Sequence, residues 1–291
     1  MKTLIIALSG LLLASGCTEQ LRRAGIDENQ VQAISNVATT LSRPDYTPAE
    51  EAQIGQLSAA TLLGAAPLIA DRETMQYINQ LGGWIARQTG RNDINWRFGV
   101  INSSNVNAFA APDGYVFVTK GLLRKLNDES ELAGVVAHEI AHVIKRHYLV
   151  AVRKKDTTNA LANVAVTTAQ KGGVKNADIL AGPLANIVQN LYASGLDKGD
   201  EYEADRLGVV YATRAGYDPY GLPRVLKLYA QNANSNGFDL LFSTHPSPQD
   251  RLQQLGKAMG ERLAAYETDK INNTAFLRIK RKAVQLPDPK S

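Results

Sequence analysis

A single cysteine, Cys17, occurs in the 291 residues. The mature chain can therefore form no intramolecular disulfide, and its stability in an oxidising compartment must come from packing or from a metal. Histidine is almost as scarce, with 4 in the chain. Charge of one sign is missing too: 32 Lys and Arg against 28 Asp and Glu leave +4. That balance is too diffuse for a nucleic-acid partner, and no arginine–aromatic interleaving revives one. There is no GxGxxG, no phosphate loop, no internal repeat, and no apolar run of the ~20 residues that a bilayer span requires. What is present, 44% hydrophobic and 7% aromatic residues, is the ordinary composition of a globular protein with one good-sized core or two small ones.

The nearest approach to a long apolar run is Leu4 to Leu13, inside "MKTLIIALSGLLLASGC". Lys2 before it and Ala14, Ser15 and Gly16 after it give the stretch the proportions of an export signal. Small residues ahead of Cys17 resemble the lipobox at which bacterial lipoproteins are cleaved and acylated. The resemblance implies a signal peptide over 1–16, a lipid anchor in the membrane on Cys17, and a polar tether over 17–45. Thr18 rather than Asp follows the cysteine, which by the same resemblance favours the periplasmic face of the outer membrane. An ordinary secretory signal, leaving a soluble periplasmic protein, is the alternative.

Beyond Pro48, apolar residues recur at helical spacing (Ile54, Leu57, Leu62, then Ile78, Leu81, Ile85) and predict two or three amphipathic helices. "INWRFGVINSS" and "GYVFVTKGLL" are short and rich in Val, Ile, Phe and Tyr, and read as strands of a small sheet.

The few histidines are concentrated. In "LNDESELAGVVAHEIAHVIKRH" Asp128 is an N-cap with Glu131 three residues on, an Asp variant of the capping box, so a helix is expected from about Glu129 to His147. On it His138 and His142 stand one turn apart on one face, where two imidazole nitrogens can converge on one ion. Glu139 is not placed as a third ligand; it can accept a proton from water at that ion. This is the HExxH pattern. A third ligand is offered by "DKGDEYEADRLGVVYATRAG", where Glu201 and Asp205 share a helix face: Glu201 can ligate, and Asp205 can accept the distal N–H of a ligating histidine. Glu203 points elsewhere and reads as a solvated acid, and His147 reads as structural, at the helix end where an imidazolium suits the dipole.

His138, Glu139 and His142 followed by Glu201 and Asp205 resemble the M48 peptidases, the Ste24 and HtpX kin. "NVNAFAAPDGYVFVTKGLL", "HVIKRH" and "STHPSPQDRL" extend the similarity over about residues 46–256. The chain departs from the pattern at Asp113, where glycine is common, and at Lys198, Gly199 and Asp200, where arginine often precedes the acid. The resemblance implies an α+β, predominantly helical, zincin-like fold with a small sheet beside the HExxH helix. It also implies one zinc per chain on His138, His142 and Glu201, with Glu139 as general base and acid. A peptidase domain over 46–260 and a helix end and tail over 261–291 follow. An edge strand holding Asn107, Ala108, Phe109 and Ala110 would receive an extended polypeptide substrate, though it can equally be an ordinary strand with Phe109 buried. His245 would either stabilise the oxyanion or sit on zinc as an inhibitory fourth ligand; a turn-capping histidine before Pro246 is the bland option.

Between the two motifs, residues 153–198 read as paired helices about Gly172 and Gly173, a packed hairpin or lid rather than a membrane contact. "FLRIKRKAVQLPDPKS" reads as a basic surface turn. The expected function is a zinc-dependent endopeptidase acting on misfolded or unassembled envelope proteins, in possible contact with the envelope assembly machinery. The alternative is a noncatalytic zinc-binding chaperone or assembly factor of the outer membrane.

Overall fold

The computed structural model describes residues 45–155, 195–232, 237–238, 241, 244–245, 247–268 and 274–287. The segments expected to be signal peptide, lipidation site at Cys17 and tether, and most of the expected hairpin or lid, lie outside these. One unit, Pro48–Leu149 with Val188–Ser291, carries every element below; of a second unit, Met1–Thr47 with Val150–Ile187, only residues 45–47 and 150–155 are described.

Two helices open the first unit, α1 (Pro48–Ala65) and α2 (Arg72–Arg87). Asp71 caps α2, its side chain accepting from the Thr74 backbone N–H at 2.9 Å. Three strands follow, β1 (Arg97–Ile101), β2 (Ala108–Ala111) and β3 (Tyr115–Thr119), in the order β1-β3-β2. β1 runs parallel to β3, whereas β2 and β3 form an antiparallel hairpin with Phe109 opposite Phe117. Asp113 turns that hairpin in the left-handed region at φ 62. Its side chain and carbonyl are both engaged by Arg97 Nη1, at 3.3 and 3.0 Å.

Thr119 then caps α3 (Lys120–Lys125), and Asp128 caps α4 (Glu129–Ile144) by accepting from Glu131 N–H at 2.8 Å. The expected capping box is shifted by one residue: the Glu131 carboxylate takes the N–H of Asn127, at 2.6 Å, rather than that of Asp128. Every residue of α4 from Glu129 to Val143 is buried, so this is the central helix of the core. It is also shorter than expected. Arg146, at φ 57, breaks it, and His147 opens a new helical stretch instead of closing α4.

Three further helices follow, α5 (Lys198–Arg214), α6 (Gly221–Gln231) and α7 (Pro248–Met259), the last packed on the other two. α5 and α6 pack directly on α4. Their approach is backbone-close. A Cβ on Gly208 of α5 would lie 2.9 Å from the His138 nitrogen, and one on Gly221 of α6 would lie 2.2 Å from the Ser130 carbonyl oxygen. After a 3-10 turn at Ala264–Tyr266 comes α8 (Thr274–Gln285). Up to Gln285, the stretch read as a basic surface turn is therefore a helix. Phe276, Ile279 and Ala283 are buried against α2 and α3, Lys282 Nζ reaches Asp71 at 3.0 Å, and Arg124 donates to the carbonyls of Ala283 and Leu286 at 2.9 and 2.8 Å. Its period-3.6 apolar stripe was masked in the sequence by the density of Lys and Arg between those residues.

The result is a predominantly helical α+β fold with a three-stranded sheet beside the HExxH helix. Among the described residues no helix is long and apolar enough to cross a membrane.

Candidate metal centre

Four side chains from three parts of the chain converge beside α4. His138 and His142 come from α4 itself, Glu201 from the first turn of α5, and His245 from the segment before α7. One donor atom of each lies within 4.8 Å of the others, and all four residues are buried. The two α4 imidazoles bring their Nε2 atoms to 3.0 Å. The Glu201 carboxylate stands 3.6 Å from His138 Nε2 and 3.5 Å from His142 Nε2. His245 Nδ1 faces both Glu201 oxygens, at 3.1 and 3.0 Å, and its Nε2 is 3.8 Å from Glu139 Oε1.

Asp205, one turn after Glu201, accepts from His138 Nδ1 at 3.0 Å, as its shared face with Glu201 predicts. The same carboxylate holds Arg251 of α7 in a fork, Nε to Oδ2 at 2.9 Å and Nη2 to Oδ1 at 2.6 Å, while Arg251 Nη1 reaches Glu201 at 3.0 Å.

The donor set fits a divalent ion. Imidazole nitrogens and carboxylate oxygens are the ligands that zinc and its first-row neighbours accept, and here four such side chains each bring one donor atom within 4.8 Å of the others. A second observation agrees with this: among the described residues Glu139 Oε2 is buried with no hydrogen-bond partner. A buried carboxylate oxygen left unpaired is costly, and water held beside the ion would satisfy it.

Burial dominates the protonation of these groups. It raises Glu139 above the usual carboxylate range, with His245 and His138 opposing. It drives His142 well below the ordinary imidazole value, with His138 adding to the effect. In Glu201 burial works upward, but the charges of His245 and Arg251 prevail and hold the carboxyl well below its usual range. For His138, burial and Arg251 push down, yet the hydrogen bonds to Asp205 and Glu201 win and raise it to about 9.

A small open cleft of about 20 Å³ borders the cluster, with Ala108, Val135, Leu222, Tyr229 and Leu241 among its walls. Of the predicted substrate strand, Ala108 borders the cleft. Asn107 is buried and donates through Nδ2 to Thr244 Oγ1 at 3.2 Å, and Phe109 and Ala110 are buried in β2.

Comparison with known proteins agrees with the residue pattern. The model of peptidase family M48 matches residues 72–259, which contain the whole cluster. The chain belongs to this family. It is 34% identical over 208 residues to the beta-barrel assembly-enhancing protease of Escherichia coli, covering 70% of this chain and 42% of that protein. It is 31% identical over 222 residues to a putative beta-barrel assembly-enhancing protease of Vibrio cholerae, covering 73% and 45%. It is 29% identical over 197 residues to the mitochondrial metalloendopeptidase OMA1 of Schizosaccharomyces pombe, covering 67% and 56%. The chain thus spans less than half the length of the two bacterial relatives. M48 membership implies a metal, and the buried cluster is where the donors for one stand.

Three residues around this M48 centre were missed or misread in the sequence. Arg251 stands in the "STHPSPQDRL" segment of the resemblance but was given no role there. Glu203 is not simply solvated: its carboxylate meets Lys145 Nζ at 2.7 Å and His147 Nε2 at 3.1 Å. His147, in turn, is buried and places its Nδ1 2.9 Å from Nδ1 of His142. On an unbroken helix a residue five places after His142 would face away from it, and only the break at Arg146 returns the ring.

Proposed function

We propose that this chain is a zinc-dependent endopeptidase, with His138, His142 and Glu201 holding one ion. The observation that carries the proposal is the meeting of these three donors beside an unpaired, buried Glu139 oxygen. Zinc, when bound, supplies Lewis acidity: it lowers the pKa of a coordinated water to about 7 and polarises the scissile carbonyl. Glu139 accepts the water proton at Oε2 and delivers it to the leaving amine, and the burial that raises its pKa suits a carboxyl that must carry a proton in mid-reaction. Asp205 holds the Nδ1–H of His138 and so turns its Nε2 toward the centre. Arg251 balances the charge of Asp205 and Glu201. Ala108, at the cleft wall on the outer strand β2, is the point of contact for an extended peptide, with Val135 and Leu222 offering apolar surface opposite.

His245 lies inside the donor cluster, which favours the fourth-ligand, latent-state role over oxyanion stabilisation. The substrates are read as misfolded or unassembled envelope proteins, with the envelope assembly machinery as a partner, because the bacterial relatives are named for β-barrel assembly. Anchoring through lipidated Cys17 on the periplasmic face of the outer membrane rests on the "LLLASGC" stretch. Cys17→Ala is expected to abolish labelling by a fatty acid and to leave residues 1–16 uncleaved; labelling that persists would rule the anchor out.

The decisive experiment is Glu139→Gln. The purified variant is expected to bind zinc near one equivalent and to lose cleavage of an unfolded substrate by at least about a hundredfold. Cleavage at the original rate would end the mechanism. Zinc uptake with no cleavage by the wild-type chain or by any His245 variant would instead support a noncatalytic chaperone or assembly factor.

A further inference from the structure

His142 differs from His138 in what stands behind it. Asp205 receives the distal N–H of His138 directly, at 3.0 Å. Behind His142, among the described residues, no carboxylate makes that contact; a second imidazole does, His147, with Nδ1 to Nδ1 at 2.9 Å, both rings buried. Behind His147 come Glu203 Oε2, 3.1 Å from Nε2, and Asp200 Oδ1 at 3.8 Å. Lys145 Nζ holds the other Glu203 oxygen at 2.7 Å.

Chemistry orders the protons along this line. An ionised carboxylate only accepts, so His147 Nε2 must carry the hydrogen that meets Glu203. The 2.9 Å contact between the two Nδ1 atoms takes one donor and one acceptor, and with His142 Nδ1 donating to the free pair of His147 Nδ1 every nitrogen along the line is paired. His142 is thereby left with its free electron pair on Nε2, the nitrogen 3.0 Å from His138 Nε2 and 3.5 Å from Glu201.

We propose that His147 and Glu203 form a positioning relay, Glu203–His147–His142, that fixes the tautomer and ring orientation of His142 for metal binding through an interposed imidazole. The relay rests on the metal reading above and extends it to residues outside the HExxH and Glu201 motifs. It also accounts for the break at Arg146, whose left-handed backbone turns His147 back toward α4. Because Glu203 stands at the half-exposed end, the line links a surface ion pair to a buried ligand.

The test uses the full chain loaded with Zn2+ or Co2+. Competition with a chromophoric chelator gives zinc affinity, and the visible d–d bands of the cobalt protein report ligand geometry. His147→Ala is expected to weaken zinc binding by about ten- to a hundredfold, the usual cost of losing an outer partner of a ligating histidine, and to shift the cobalt bands. His147→Gln can accept from His142 and donate to Glu203 with one side chain, and should recover most of the affinity. Glu203→Ala should give a smaller loss in the same direction. Circular dichroism and thermal unfolding of the metal-free variants separate a relay from a folding defect; should His147→Ala fail to fold, Glu203→Ala decides, being near the surface. Wild-type affinity and an unshifted cobalt spectrum in His147→Ala, or in Glu203→Ala where the former does not fold, would overturn the relay alone. A wild-type chain that takes up neither ion would overturn the metal reading and the relay together.

Discussion

His245 is the residue whose replacement most directly separates two chemistries at one site. Its ring contacts both oxygens of Glu201 and lies near Glu139. If it occupies the fourth position on the ion, His245→Ala frees that position and peptidase activity rises. If it stabilises the oxyanion, removing it costs about a hundredfold or more in kcat. We expect the rise, measured as initial rates on an unfolded protein substrate at saturating zinc. At this same scale the sequence was most and least informative. His138, Glu139, His142, Glu201 and Asp205 were readable because helix periodicity converts spacing into shared faces. Arg251 was not, because nothing local distinguishes an arginine that will be buried in a carboxylate fork from one on the surface. The same limit applied to His147, whose direction depends on a backbone break that the residues around it do not announce.

At the scale of elements, the centre depends on how closely α5 lies against α4. Gly208 permits that approach, and an added Cβ would meet the His138 nitrogen at 2.9 Å and its Cα at 3.0 Å, both backbone atoms with no freedom to step aside. Gly→Ala inside a helix ordinarily stabilises by about 1 kcal/mol. Here overpacking, at about 1–3 kcal/mol, should win. Gly208→Ala is therefore expected to lower the urea midpoint and, by displacing Glu201 from the imidazole pair, to weaken zinc binding; a stabilised variant with unchanged affinity would show that α5 can shift freely. Elements with strong periodicity or β-branched runs, such as α2, β1 and β3, were legible from the chain. α8 was not, because a helix rich in Lys and Arg shows its narrow apolar stripe only once α2 and α3 are there to receive it.

For the molecule as a whole, metal and stability are linked. Without an ion, His138, His142, Glu201 and His245 must share a buried space with Glu139 and Arg251, and burying such groups without full compensation is unfavourable. An ion that binds only the folded chain stabilises it by about 2.7 kcal/mol at a hundred times its dissociation constant. For a domain of this size that corresponds to roughly 5–10 °C in Tm. Chelation should lower the midpoint by such an amount, and added zinc should restore it. An unchanged midpoint under exhaustive chelation would argue against the cluster as a metal centre.

The sequence by itself determined the HExxH helix, its Asp128 cap, the shared face of Glu201 and Asp205, the helical character and the two readable strands, because each follows from local periodicity and side-chain chemistry along a few turns. Only the tertiary structure decided that Glu201 meets His138 and His142, that Arg251 lies between two carboxylates, and that His147 faces His142. Those contacts run from His142 and His147, five positions apart, to His138 and Glu201, 63 apart (201 − 138). They come from glycine-mediated helix packing and one left-handed residue, which local propensity does not encode.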